Sequence, residues 1–258
     1  MKVYYDLRHV NDYVKLQSHP TIEEMEAIFN SIMKRVKNFK EINQDSKILE
    51  VGTGTGWFPI LCKKNGISCQ GIEICPQLVE YSTQYGRRIG IQPDIGLGNI
   101  EEADIGISKY DVVIATSTFE HVEHWKKGIR NIFNALKPGG LFYFYSTNKF
   151  SLWSGEAPLP FYGWLPNNWR YHIRIARTGE DIMKLGIDFN QFNYFQLRRF
   201  FLDIGFTQIV DQFEIIDFDN LFHSSICKKI ILKMIKGLKP IKLMALIFSP
   251  GTLFICIK

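Results

Sequence analysis

Residues 50–56 read Glu-Val-Gly-Thr-Gly-Thr-Gly, and no other segment constrains the fold of this chain as tightly. The apolar run Lys47-Ile48-Leu49 before it reads as a buried strand, and residues 57–64 after it read as a helix that tolerates Pro59 in its first turn and stops at Asn65-Gly66. A strand therefore enters a glycine-rich turn and leaves as a helix. Alternate glycines let the backbone take positive φ and let a ligand approach with no Cβ in the way. The helix start offers free N–H groups to an anionic ligand group. The spacing is Gly-x-Gly-x-Gly, which is not the Gly-x-Gly-x-x-Gly of dinucleotide folds. Taken alone, such a turn is also compatible with an ordinary βα connection.

The residues that follow narrow the choice. A strand over 68–74 places Glu73 at its tip, where a carboxylate can accept two hydrogen bonds from a ribose diol. Pro76 opens a helix to about Ile89, and Gly96-Leu97-Gly98-Asn99-Ile100 comes next. A fourth strand over 110–116 runs into Ser117-Thr118-Phe119-Glu120-His121-Val122. A helix from Trp125 to about Leu136 carries Ile129, Ile132, Phe133 and Leu136 on one face; Lys137-Pro138-Gly139-Gly140 stops it, and residues 141–146 form a fifth strand.

Four motifs in this order, from about Lys47 to Asn148, resemble those of class I S-adenosylmethionine (SAM) dependent methyltransferases. Glu50 stands two positions before the first glycine, as in motif I of that family. The resemblance implies a three-layer α/β Rossmann-like sheet of seven strands, the last antiparallel, with helices on both faces. It implies SAM as cofactor, held by Glu50, Gly52, Thr53, Gly54, Gly56, Glu73, Ile74, Asn99, Ile100, Thr116 and Ser117. In the family a short polar residue at position 99 meets the adenine amino group. It is usually Asp; Asn99 can still accept through its amide oxygen. Ile100 is equally readable as ring contact or plain core.

Three additions surround this core. Thr21-Ile22-Glu23-Glu24 has the form of a capping box, and Ile22, Met25, Ile28, Phe29, Ile32, Met33 and Val36 form a helical apolar stripe that packs on the sheet or covers the cofactor. Tyr4, Tyr5, His9 and Tyr13 precede it, in a segment that closes over SAM in related enzymes. Residues 149–190 hold Phe150, Trp153, Phe161, Tyr162, Trp164, Trp169, Tyr171 and His172. A connection of this length is functional or disordered in most folds, and its aromatic content argues against disorder. In methyltransferases of this fold this position commonly carries the substrate lid, so the resemblance together with the composition implies a lid, with a packed structural insertion as the alternative. Residues 217–250, between a sixth strand over 207–216 and a seventh over 252–257, include an amphipathic helix with Lys229, Lys233 and Lys236 on one face. Seven lysines and no acid follow Asp219. Such a helix packs on the domain with solvated lysines, or gives weak contact with an anionic membrane through residues 227–248. The expected organisation is an N-terminal helical cap over 1–40 and a methyltransferase domain over 41–258.

The 258 residues are 46% hydrophobic and 22% charged, enough for one large α/β domain. The N-terminus lacks the order of a signal peptide, and the five cysteines lack zinc or redox spacing, so a cytoplasmic protein with reduced thiols is expected. No oxygen-ligand cluster of the kind divalent-metal methyltransferases use is evident, so no metal is expected. His121 and His124 after the fourth strand, and His172 in the lid, are the candidate general bases, each also readable as structural or surface. The expected reaction is methyl transfer to a hydroxyl oxygen of a small molecule, lipid or saccharide. The alternatives are N- or C-methylation, a nucleic-acid methyltransferase and a non-catalytic SAM-binding protein. The net charge of +5 concentrates at the C-terminus, with no nucleic-acid module before the core, so no nucleic-acid partner is expected.

Overall fold

The structure of the chain, a computed structural model, describes residues 14, 22–153, 159–178, 190–215 and 226–258. Seven strands form one sheet in the order β3-β2-β1-β4-β5-β7-β6. They are β1 (Lys47–Val51), β2 (Ser68–Glu73), β3 (Asp94–Leu97), β4 (Tyr110–Thr116), β5 (Leu136–Thr147), β6 (Gln208–Asp211) and β7 (Gly251–Ile257). β7 lies antiparallel between β5 and β6, while β1 through β5 run parallel. Strand order therefore reverses between β1 and β4, and the crevice at the carboxyl ends of these two strands is where open α/β sheets hold ligands.

The helices are α1 (Ile22–Lys37), α2 (Trp57–Lys64), α3 (Pro76–Arg88), α4 (Trp125–Ala135), α5 (Asn167–Thr178), α6 (Tyr194–Ile204), α7 (Gln212–Ile215), α8 (Ile226–Gly237) and α9 (Lys239–Phe248). They cover both faces of the sheet. On one, Phe29, Ile32, Met33 and Val36 of α1 pack with Phe58 and Leu61 of α2 against Ile48, Ile114, Tyr143 and Ile255. On the other, Ile129 and Ile132 of α4 and Leu197 and Phe201 of α6 close over Leu49, Val113, Phe142 and Phe254. The alternation of strand side chains between these clusters is the period-two pattern of a sheet buried on both faces. Each fully buried aliphatic or aromatic side chain contributes about 1.5–3 kcal/mol.

The expected strand-to-helix course over 47–64 is as observed, and Met25, Phe29, Ile32, Met33 and Val36 of the N-terminal stripe pack on the sheet, while Ile28 is exposed. Thr21 and the tyrosine-bearing segment 1–13 lie outside the described residues. Two boundaries differ from expectation. The Lys137-Pro138-Gly139-Gly140 turn belongs to β5 as a bulge: Tyr110 pairs with Leu136, and pairing resumes at Val112 with Leu141. Pairing with the chain end draws it in, because Gly139 N–H donates to Lys258 and Lys258 N–H donates to Gly140. β6 is shorter than 207–216 because Asp211 Oδ1 accepts the N–H groups of Phe213 and Glu214 at 3.0 and 3.2 Å and starts α7. Asn148, nearly fully buried, donates to the carbonyls of Ile247 and Ser249 at 2.9 Å. This satisfies part of the α9 C-terminus and fixes the helical pair α8–α9 to the end of β5.

Candidate SAM site and acceptor cavity

The turn after β1 is shaped by its glycines. Gly52 and Gly54 have φ of 73° and 54°, and a Cβ on Gly52 would lie 2.4 Å from Thr118 Cγ2. Gly52 N–H donates to the carbonyl of Ile72 at 2.8 Å, tying the loop to the end of β2. Gly56 has a packing role: a Cβ there would meet Ser82 Cβ at 2.6 Å.

Glu73 organises the loop. Its Oε2 accepts Gly54 N–H at 2.8 Å, and its Oε1 accepts Ile74 N–H at 3.0 Å and Cys75 N–H at 3.1 Å. The side chain is 6% exposed. Burial raises its pKa, and the three N–H donors oppose the rise. A carboxylate has roughly four acceptor positions, so about one remains for a ligand. The sequence pointed to a carboxylate aimed at a diol; the structure adds that this carboxylate holds three backbone amides.

A cavity of about 290 Å³ opens at the carboxyl ends of β1, β2, β3 and β4. Of the expected cofactor residues, Gly52, Gly54, Glu73, Ile74, Asn99, Ile100 and Ser117 line it. Asn99 Oδ1 accepts Glu101 N–H at 2.9 Å, forming the turn after β3. Glu50, Thr53, Gly56 and Thr116 are not in the lining. Glu50 points to the α2 side of the sheet, 2% exposed, with Oε2 lacking a hydrogen-bond partner. Burial pushes its pKa well above the carboxylate range, with Cys69 and Glu73 adding to the rise. Thr53 Oγ1 is likewise buried without a partner. Leu78, Gly98, Glu101 and Thr118 line the cavity and were not foreseen, because the approach of Leu78 depends on how α3 packs and that of the others on how β3 and β4 end.

A second cavity of about 540 Å³ lies between α1 and the ends of β4 and β5. Thr116 and Ser117 line it, and Ser117 is common to both cavities. Ser117 holds φ at 52°, a left-handed conformation that costs a non-glycine residue about 1–3 kcal/mol and persists where surrounding structure imposes it. The three candidate histidines do not converge. His121 lines the first cavity, His124 is exposed at the N-cap of α4, and His172 is exposed on α5. Glu120 is buried beside His121 and accepts Ser146 Oγ–H at 2.7 Å. Among the described residues no group of three or more His, Cys, Asp or Glu side chains could hold a metal ion.

A crevice at the switch point of a seven-stranded sheet whose β7 is antiparallel, framed by a glycine turn and an acidic strand tip, is the arrangement of a SAM-dependent methyltransferase fold. A methyltransferase-domain family model matches residues 24–207, and the chain belongs to that family. The ubiquinone biosynthesis O-methyltransferase of Rickettsia prowazekii is 27% identical over 156 residues, covering 58% of this chain and 60% of that relative. The enzyme of the same name from Idiomarina loihiensis is 27% identical over 178 residues, covering 62% of this chain and 72% of the relative. The chain thus spans about three fifths of the length of the first of these curated relatives. A SAM-dependent methyltransferase from Archaeoglobus fulgidus superposes with a TM-score of 0.56 at 16% identity, covering 91% of this chain and 94% of that one. Geranyl diphosphate C-methyltransferase from Streptomyces coelicolor gives 0.54 at 13% identity, covering 90% and 78%. At these identities the structural likeness shows the fold alone.

Proposed function

We propose that the protein transfers a methyl group from SAM to a hydroxyl oxygen of a small-molecule, lipid or saccharide acceptor. The observation that carries this reading is the pair of cavities meeting at Ser117. When bound, SAM supplies an electrophilic methyl on a sulfonium. The residues of the first cavity fit it. The backbone at Gly52 and Gly54 leaves room without side chains, Glu73 retains an acceptor position for a ribose hydroxyl, and Asn99 with Ile100 and Leu78 suits an adenine edge and face. Orientation of donor and acceptor contributes about 7–11 kcal/mol in well-aligned systems. Ser117, fixed at the junction, is placed to align them. His121 is assigned as the candidate base because it reaches the first cavity, and a positioned base adds roughly 10²–10⁴ in rate.

The lid role of residues 149–190 belongs to the same proposal and rests on the aromatic content of the segment; Trp164 stacks on Phe248 at 6.1 Å between ring centroids, a contact that a packed insertion would also make. So does weak contact with an anionic bilayer. It is supported by the exposed apolar Ile230, Met234, Leu238 and Met244 beside the exposed Lys233, Lys236 and Lys239. Among the described residues no helix is long and apolar enough to cross a membrane. A cytoplasmic location is supported by Cys62, Cys69, Cys75 and Cys256 all being free thiols. The test combines calorimetry with SAM and screening of metabolite extracts with methyl-labelled SAM. The expected result is metal-independent SAM binding and label in an O-methyl product. Absence of SAM binding overturns the assignment, and label on nitrogen or carbon overturns the acceptor atom. His121→Ala should lower kcat and leave SAM affinity unchanged; full activity would exclude it as the base.

A further inference from the structure

The second cavity has an uneven chemistry. Most of its wall is apolar or hydroxylic: Ile28, Ser31, Trp57, Tyr145 and Ser117. Among the described residues its one charged lining residue is Arg35 of α1. Arg35 Nη1 donates to Tyr143 Oη at 3.0 Å. Tyr143 is 2% exposed, and burial holds its phenol in the protonated form by raising its pKa. Since the phenol oxygen accepts from Arg35, its own hydrogen is left to donate. Among the described residues no carboxylate pairs with Arg35, and none lies in the cavity wall. A guanidinium and a phenol O–H side by side offer donors only, and their complement is a group that only accepts.

The position of the pair separates it from the glycine loop. Tyr143 pairs with Ile114, two residues back from the Tyr145–Thr116 pair at the strand ends. β4 stands between β5 and β1, so at about 4.8 Å per strand spacing the pair lies roughly 10 Å across the sheet from the strand that carries Gly52. Neither Arg35 nor Tyr143 lines the first cavity.

We propose that the second cavity binds an acceptor bearing an oxyanion, a carboxylate or phosphate, which Arg35 and Tyr143 receive at its inner end. The exposed faces of Trp57 and Tyr145 accommodate a ring or chain between that anion and the junction at Ser117. This inference rests on the methyltransferase reading for what happens at Ser117, but the anion site is testable without turnover.

The experiment titrates 4-hydroxybenzoate and phenol into the protein, with and without saturating S-adenosylhomocysteine, by calorimetry or ligand-observed NMR. The two probes differ only in the carboxylate. The wild type should bind 4-hydroxybenzoate about tenfold or more tightly than phenol, as expected for a charge-assisted pair. Arg35→Gln should abolish that preference, Arg35→Lys should keep part of it, and Tyr143→Phe should weaken it. S-adenosylhomocysteine affinity should be unchanged in all three. Equal affinity for the two probes in the wild type, no binding of the acid, or a preference that survives Arg35→Gln overturns the proposal. So does a loss of S-adenosylhomocysteine affinity in Arg35→Gln with probe binding intact, since the guanidinium would then serve the cofactor. Failure of the wild type to bind S-adenosylhomocysteine would sink the methyltransferase reading alone, because the probe titration without it still reports on the anion site.

Discussion

Replacing Glu73 by Ala tests whether this carboxylate builds the site or only touches the ligand. The variant leaves three N–H groups without their acceptor, those of Gly54, Ile74 and Cys75 at 2.8, 3.0 and 3.1 Å. An orphaned buried donor costs about 1–3 kcal/mol. Two effects reduce the sum. Water from the adjoining cavity can reach the exposed side of the loop, and removing a carboxylate whose charged form burial disfavours returns some free energy. A net loss of about 2–4 kcal/mol is expected. At about 2–4 °C per kcal/mol for a domain near this size, the melting temperature of the ligand-free protein should fall by about 4–16 °C. SAM affinity should fall about ten- to hundredfold, because the loop must be reordered on binding. Glu73→Gln keeps one oxygen for Ile74 and Cys75 but turns an NH₂ toward Gly54, so it should fall between the two. Scanning fluorimetry without ligand, with calorimetry on the same samples, reads both effects. An unchanged ligand-free melting temperature beside a weakened SAM isotherm would refute the loop-organising role and leave Glu73 as a ribose acceptor alone.

Three further outcomes are expected. The pKa of Glu50 is raised in the fold, so its contribution to stability is fully present below its unfolded value and is lost as pH rises through the folded one. Glu50→Gln should therefore gain stability relative to the wild type as pH rises above the ordinary carboxylate value of about 4.3, with SAM affinity little changed; a difference independent of pH in denaturant melts would contradict this. Truncation after Lys236 removes β7, whose Phe254, Ile255 and Cys256 are fully buried between β5 and β6, and should abolish cooperative unfolding. Charge reversal at Lys233, Lys236 and Lys239 should shift stability by no more than about 0.5 kcal/mol and abolish sedimentation with anionic vesicles at low salt. A folded truncation, or vesicle binding indifferent to charge, would argue against these roles.

The local chemistry of this chain was legible in its order of residues. A buried apolar run, three alternate glycines and a helix start specify a βα turn from short-range sterics, which is why α2 lies where the 57–64 pattern put it. Glu73, Asn99 and Ser117 follow strand ends, and strand ends on one side of a parallel sheet meet whatever the intervening sequence. The boundary errors were tertiary in origin. β5 gained its bulge from Lys258, more than a hundred residues away, and no window around Gly139 contains that partner.

The site's inner wiring was equally beyond reach of the sequence. Nothing near Glu50 marks its carboxylate as turned to the α2 side of the sheet, because strand parity and the packing of a distant helix decide which face a residue takes. Arg35 in an otherwise ordinary amphipathic helix reads as a solvated charge. Tyr143 in an aromatic strand reads as core. Only the crossing of α1 over β5 brings them within 3.0 Å and turns two unremarked side chains into the floor of a cavity. Sequence by itself thus determined the turn, the order of the strands' ligand-facing tips and the family to which they belong. The tertiary structure decided which carboxylate faces the first cavity, which is sealed in the core, and that a cation with no acidic partner among the described residues lines the second. The physical reason is range: backbone sterics act over a few residues, whereas burial and pairing are set by elements that meet only once the chain has folded.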